Sequence, residues 1–383
     1  LDMRAVSSYR EHPDNLIGKR DGDALLKVVS IYGANASGKS NFVDAYRSFR
    51  RLVSDSFRQN NKNQDELLLK RLYYPFFFDN ESYEMDTEFE ATYHLADNEY
   101  RYGFVYTPER IKYEWLYKRS LVTGRQSRII ERSLDRIELG ASVRKSCEKY
   151  LGNIDSDVLA LSFFSSLRLK THVFTETAYC ISDILPLSLS GDKSTQQMIN
   201  IYFERDFDDD EKPRLLAFLR GIDVGIKDIE VEKQKDRIAV TTYHSGSDGE
   251  LFPFDLSIES DGTKRAIAIY SLVRVAALKG MGLILDEFNS QLHPLLQKYI
   301  IDVFYETDTQ GQLIYTTHDT TLLDKQFMRR DQIWFVSKNE EGESSLYSLA
   351  DFKVRNDKSF GKDYLSGVYG AIPILNRFSF QEG

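Results

Sequence analysis

The segment Gly33-Ala-Asn-Ala-Ser-Gly38-Lys39-Ser40 meets every constrained position of G-x-x-x-x-G-K-[ST]. Its glycines let backbone N–H groups curl around phosphate oxygens, and a following helix N-terminus adds partial positive charge. Lys39 would then reach the β and γ phosphates of a nucleotide, and the Ser40 hydroxyl would ligate Mg²⁺. Ser37 and the amides around Gly38 complete the cradle, with Asn35, Ala36 and Asn41 on its flanks. The plain alternative is an ordinary glycine turn. Context argues against it. The apolar, β-branched run 25–32 enters the loop as a buried strand, and Phe42, Tyr46, Phe49 and Val53 leave it at helical spacing.

A second acidic site stands far downstream. "GLILDEF" (282–288) reads as a buried strand ending in Asp286 and Glu287. Asp286 would hold Mg²⁺ beside Ser40, and Glu287 would polarise an attacking water. Alone, the pair reads equally well as a strand end at the surface; with the phosphate loop it reads as catalytic. The two motifs are 286 − 39 = 247 positions apart, so a large insertion separates them. Between them, Ser260-Asp261-Gly262-Thr263 precedes an apolar helix that ends near Gly280. Ser260 or Asp261 would cap that helix, and Gly262 would admit a phosphate to its backbone. This is either an ordinary capped helix or a second anion site, used by another copy of the chain. His318 in "TTHD" is either a γ-phosphate sensor or a plain loop histidine. His293 either caps the helix 293–306, with Pro294 in its first turn, or belongs to an interface loop.

The elements that must position these groups show in the periodicity. Alternation at 88–95, 100–106 and 111–117 predicts an antiparallel meander with an aromatic inner face, with turns at 96–99 and 107–110 and a fourth strand at 127–132. The aromatics read as core in preference to base-stacking platforms. Residues 140–220 read as mostly helical, with the acidic run 204–212 as a solvated loop. Strands return at 226–232, 236–243 and 251–258, and QIWFVSK and SSLYSL (332–349) read as a hairpin. "LDMRAV" reads as a strand entered midway, with residues missing before it. The expected division is 1–139, an N-terminal lobe with the phosphate loop and meander; 140–222, a helical insertion; and 223–383, a C-terminal lobe with the remaining motifs.

Composition narrows the class. The 383 residues are 42% hydrophobic and carry 23 Tyr and 24 Phe, which excludes a disordered chain. A net charge of −9 argues against a broad nucleic-acid surface, although a local basic groove remains open. Cys147 and Cys180 give no disulfide framework and no metal spacing. No signal peptide and no membrane-length apolar run is present, so a cytoplasmic chain without a membrane partner is expected.

The order of the motifs resembles the ABC-type ATPases of the SMC/RecF/OLD class: phosphate loop, long insertion, small-residue signature loop, helix, apolar-Asp-Glu strand, then a strand ending in histidine. "IYGANASGKSNFVDAYRSFR", "ESDGTKRAI", "LDEFNSQLHPLL", "TTHD" and "YLSGVYGAIP" together resemble the prokaryotic stand-alone ABC-like ATPases typified by RloA and AbiL, which are associated with defence against phages. The resemblance implies an α/β fold, an ABC-type P-loop NTPase with an antiparallel β-meander subdomain and a helical insertion. It implies ATP and Mg²⁺ as cofactors, and a homodimer or higher homo-oligomer around ATP. Ser260 and Gly262 would act in trans, and His318 would sense the γ-phosphate. It also implies a separately encoded effector, a nuclease or toxin. A RecF/SMC-like DNA clamp is the alternative. "SDGT" departs from Leu-Ser-Gly-Gly-Gln, and no Toprim-like acidic set follows His318, so the chain is expected to cut nothing itself.

Overall fold

The computed structural model describes residues 1–18, 24–60, 66–188, 192–222, 224–234, 237–290, 292–353 and 359–373. Residue 236 of an expected strand and Gln291 of the expected interface loop lie outside them. The contacts form two compact units: Leu1–Val43 with Leu185–Gly383, and Asp44–Ile184. These boundaries differ from the expected 139/140 and 222/223.

The first unit is built on a six-stranded sheet. Its spatial order is Ser344–Ser348, Ile333–Lys338, Val28–Tyr32, Gln312–Thr317, Gly282–Asp286 and Ile184–Ser188. The second to fifth of these strands run parallel, and Ser344–Ser348 closes one edge as the expected antiparallel hairpin. Val28–Tyr32 is buried at every residue, as a parallel strand covered on both faces must be. The run 25–32 breaks at Lys27, whose ammonium donates to Tyr305 O at 2.8 Å and Thr307 O at 3.0 Å. Leu25–Leu26 pairs instead with Leu16–Ile17, and "LDMRAV" forms only a bridge from Arg4 to Leu25.

Ile184–Ser188 was expected as part of the helical insertion. It carries Pro186, which removes a ladder donor and suits the sheet edge that it occupies. The helices Asp192–Arg205, Glu211–Gly221, Asp261–Lys279 and Pro294–Glu306 supply much of the apolar core of this unit. A three-stranded sheet, Ile226–Gln234, Arg237–Ser245 and Leu251–Asp255, leads into the helix Asp261–Lys279. The last strand stops at Asp255 and a short 3-10 turn replaces its expected end.

The second unit holds the meander, with five strands: Thr87–Leu95, Asn98–Tyr106, Ile111–Ser120, Gln126–Ser133 and Arg136–Leu139. Tyr102, Phe104 and Tyr106 are fully buried, and Phe49 stacks on Phe104 at 5.7 Å, so these aromatics are core. The third strand departs from its expected alternation. Tyr106 pairs with Ile111 but Val105 pairs with Tyr113, so Lys112 is an extra residue in a bulge. One inserted residue turns all later side chains to the opposite face. Tyr113 is therefore 48% exposed, while Glu114 and Leu116 are fully buried opposite Phe104 and Tyr102.

Glu114 explains why residues after 140 join this unit. Its carboxylate accepts Ala160 N at 2.7 Å, Leu161 N at 2.9 Å and the Tyr102 hydroxyl at 3.0 Å. It thereby fastens the N-terminus of the helix Ala160–Ser166 to the meander. Burial pushes this carboxyl above the usual range, against the opposing pull of Arg132 and the two amides. A raised folded value means that this group's contribution is fully present below the ordinary carboxylate range and is lost as pH rises through the raised one. Glu114→Ala leaves three buried donors without an acceptor and should cost about 3 kcal/mol, against about 1 kcal/mol for Glu114→Gln. Urea unfolding in a Trp334→Phe background, read by Trp115 fluorescence, measures both, because these are the chain's two tryptophans.

Candidate functional site

Strand register assembles the site. Tyr32 pairs with Thr317, and Leu285 pairs with Tyr315. One residue further on in each strand come Gly33, His318 and Asp286. Three parallel strands thus deliver the phosphate-loop motif, the acidic pair and the histidine to one sheet edge, the carboxyl end where α/β sheets bind ligands.

The phosphate loop has the backbone its glycines predict. Gly38 has φ +109°, and Ala36 also takes a positive φ, +60°. A Cβ at Gly38 would collide with the Ser344 hydroxyl, and one at Gly33 would stand 2.6 Å from Val336 O. Glycine is needed here because the edge hairpin presses on the loop; Ser344 also donates its hydroxyl to Ser37 O at 2.8 Å. Lys39 donates to Gly33 O at 2.8 Å and Ala34 O at 2.9 Å. Burial lowers its pKa, while the carboxylates of Asp286 and Glu287 pull the other way, so these three charges share one field. Ser37 Oγ is buried with no hydrogen-bond partner among the described residues. Asn35, Ala36, Ser40 and Asn41 are exposed.

Thr316 organises the acidic end. Its hydroxyl donates to Asp286 Oδ1 at 2.5 Å and accepts from Glu287 N at 2.9 Å. Glu287 itself has φ +52°, a left-handed conformation that L side chains rarely adopt. Thr317 donates to Asn289 Oδ1 at 3.0 Å, and Asn289 Nδ2 stands 3.1 Å from His318 Nε2. Thr316 and Asn289 were missed in the sequence. "TTHD" was read for its histidine, although the threonine two residues before it faces the acidic pair.

Ser260 caps the helix Asp261–Lys279, accepting Thr263 N at 3.1 Å, while Asp261 faces Lys264 at 2.9 Å. The preceding Glu259 accepts the Thr242 hydroxyl at 2.5 Å and lies 2.7 Å from His244 Nε2, which pins the loop to the three-stranded sheet. Arg265, one turn into the helix, is buried within the field of the Glu287 carboxylate. His293 caps its helix through Leu295 N at 3.3 Å, the capping alternative.

The donors suit a magnesium nucleotide. A hydroxyl and a carboxylate are hard oxygen ligands, and Mg²⁺ ordinarily takes one or two protein oxygens together with phosphates and water. Among the described residues no cluster of three His, Cys, Asp or Glu side chains could cage a metal alone. Among those residues, too, no helix is long and apolar enough to cross a membrane.

Residues 28–324 match the family model described as "AAA domain, putative AbiEii toxin, Type IV TA system". No curated protein matches the chain. Among solved structures, an SmcHead bound to the C-winged helix domain of ScpA is 14% identical, with TM-score 0.37. The SMC head domain from Thermotoga maritima is also 14% identical, with TM-score 0.33. Each alignment covers 85% of this chain and 92% of the other. Likeness at that level says nothing of what the chain binds.

The left-handed Glu287 gives a stability test. Glu287→Gly should be more stable than Glu287→Ala by about 1 kcal/mol, the reverse of their order within a helix or strand. Chemical denaturation of the two variants checks it.

Proposed function

Since the chain belongs to this family of AAA domains, spanned by its model over residues 28–324, we propose that it binds Mg·ATP at the sheet edge and hydrolyses it between two copies of the chain. The observation that carries the reading is Lys39 held in the field of Asp286 and Glu287, at the ends of strands in register. The orphaned Ser37 hydroxyl and the loop amides supply donors for phosphate oxygens. Lys39 would exchange its own-loop carbonyls for phosphate. Ser40 and Asp286 would hold Mg²⁺, which when bound neutralises charge on the phosphate oxygens. Glu287, aimed by Thr316, would orient the attacking water and take its proton. His318, steadied by Asn289, would contact the γ-phosphate.

One chain leaves the outer side of this site to other groups. The capped helix start at Ser260 and Gly262 would serve the partner copy's nucleotide, so that the γ-phosphate bridges two chains. Its loss would change that assembly, because only an interaction that differs between the ATP and ADP states can drive a change. We assign the consequence to control of a separate effector in phage defence, following the resemblance in the motifs. A DNA clamp is less well supported. The runs RSFRRL (47–52) and KRSLVTGRQSR (118–128) could line its basic groove, but three of their arginines, Arg47, Arg119 and Arg128, lie against Asp44, Glu99 and Glu131.

Lys39→Ala should abolish binding of a fluorescent ATP analogue. Glu287→Gln should retain binding, slow phosphate release at least 100-fold and accumulate an ATP-dependent dimer in sedimentation. Hydrolysis by Glu287→Gln at the wild-type rate would remove Glu287 from its role. Purified with its native neighbouring genes and Mg·ATP, that variant should retain a second protein that Lys39→Ala sheds; recovery of DNA alone would favour the clamp.

A further inference from the structure

The second unit carries a surface that this chemistry does not use. Residues 73–85 read YYPFFFDNESYEM. Tyr74, Phe77, Phe78, Tyr83 and Met85 are each more than half exposed, from 56% to 71%. A contiguous exposed apolar patch marks an interaction site. The segment is held in shape. The Tyr73 hydroxyl donates to Tyr83 O at 3.1 Å and Met85 O at 2.5 Å. Asp79 takes the Ser82 N–H at 2.5 Å and its hydroxyl at 2.7 Å. The Phe77 and Tyr83 rings lie 5.9 Å apart.

These rings line a cavity of about 570 Å³, within the range of ligand pockets. Its walls are Tyr73, Pro75, Phe77 and Tyr83, and Glu84 and Glu109 stand among them. The lining also holds Glu66 and Lys70, which lie 3.6 Å apart and offset one another. Among the described residues neither Glu84 nor Glu109 forms an ion pair. The carboxylates of Asp86, Glu109 and Glu84 all bear on the Tyr73 hydroxyl, adding to the upward push of its burial.

Aromatic faces and carboxylates attract the same kind of group, a cation on an apolar stem. The same charges repel phosphate, which excludes a nucleic-acid ligand. We propose that this cavity docks a basic segment of a partner protein. A Lys or Arg stem lies against the Phe77 and Tyr83 rings, its cation meets Glu84 and Glu109, and a neighbouring apolar side chain covers Phe78. The proposal does not depend on the nucleotide reading.

A random-peptide phage library panned on the full chain, with counter-panning on Phe77→Ser/Tyr83→Ser, tests it. Enriched peptides should carry Lys or Arg beside an aromatic or aliphatic residue. Synthetic copies, titrated by calorimetry, should bind Glu84→Lys/Glu109→Lys at least tenfold more weakly than wild type. They should bind equally well to Val122→Ser, which alters an exposed side chain outside the cavity. Far-ultraviolet circular dichroism confirms that each variant is folded. Enriched peptides without a basic residue, peptides indifferent to charge reversal, or no enrichment lost on counter-panning would each overturn the proposal.

Discussion

The Thr316 hydroxyl donates to Asp286 Oδ1 and takes the Glu287 N–H, at a residue with no exposed surface. A parallel ladder ends wherever one strand turns away, and the groups beyond the last rung must find other partners. Here Glu287 has already left the strand in a left-handed turn, so its amide cannot continue the ladder. The threonine supplies the missing acceptor and uses its own proton to fix the neighbouring carboxylate. Asp286 and Glu287 are thereby held apart in backbone setting, one along the strand and one turned out of it. Strain at Glu287 persists because a buried partner over-determines it.

The phosphate loop depends on a similar constraint from the other side. It is closed by the hairpin Ile333–Lys338 and Ser344–Ser348, which brings Val336 O against Gly33 and Ser344 against Gly38 and Ser37. The glycines that would admit phosphate also admit this neighbour. A loop supported on its outer face is pre-formed for its ligand, so less ordering entropy is lost on binding. The hairpin, some 300 residues later in sequence, is as much a part of the loop's geometry as the strand that feeds it.

How much of this could be read from the sequence depended on whether the signal was local. The phosphate loop, the acidic strand end and the capped helix at Ser260 are set within a few residues, and each appears where its spacing placed it. The first four strands of the meander were legible, but the facing of the third was lost at Lys112, because a one-residue bulge leaves no mark in an alternating pattern of Tyr and Trp. Buried Glu114 was invisible for the same reason: its partners, Ala160 and Leu161, are remote in sequence. Ile184–Ser188 looked unlike a strand because it carries proline, which only an edge tolerates. Thr316 stood in a quoted motif, yet its task is set by register with a strand about 30 positions earlier.

Charge gives the reason to expect two chains at one site. Lys39 lies in the field of Asp286 and Glu287, and Arg265 in that of Glu287; burial weakens the hold of each on its proton. On the proposed reading, a triphosphate adds more negative charge than one lysine and one magnesium ion offset. Backbone dipoles can add to that stabilisation, since no second lysine follows in the loop. The helix start behind Lys39 supplies one. Another stands at Ser260, where Glu259 braces the loop against Thr242 and His244. A helix start is a weak anion site alone, but a useful one when it completes a site already half built. On that reading the dimer follows from electrostatics: the second chain's helix dipole would meet the first chain's loop and complete the hold on the nucleotide.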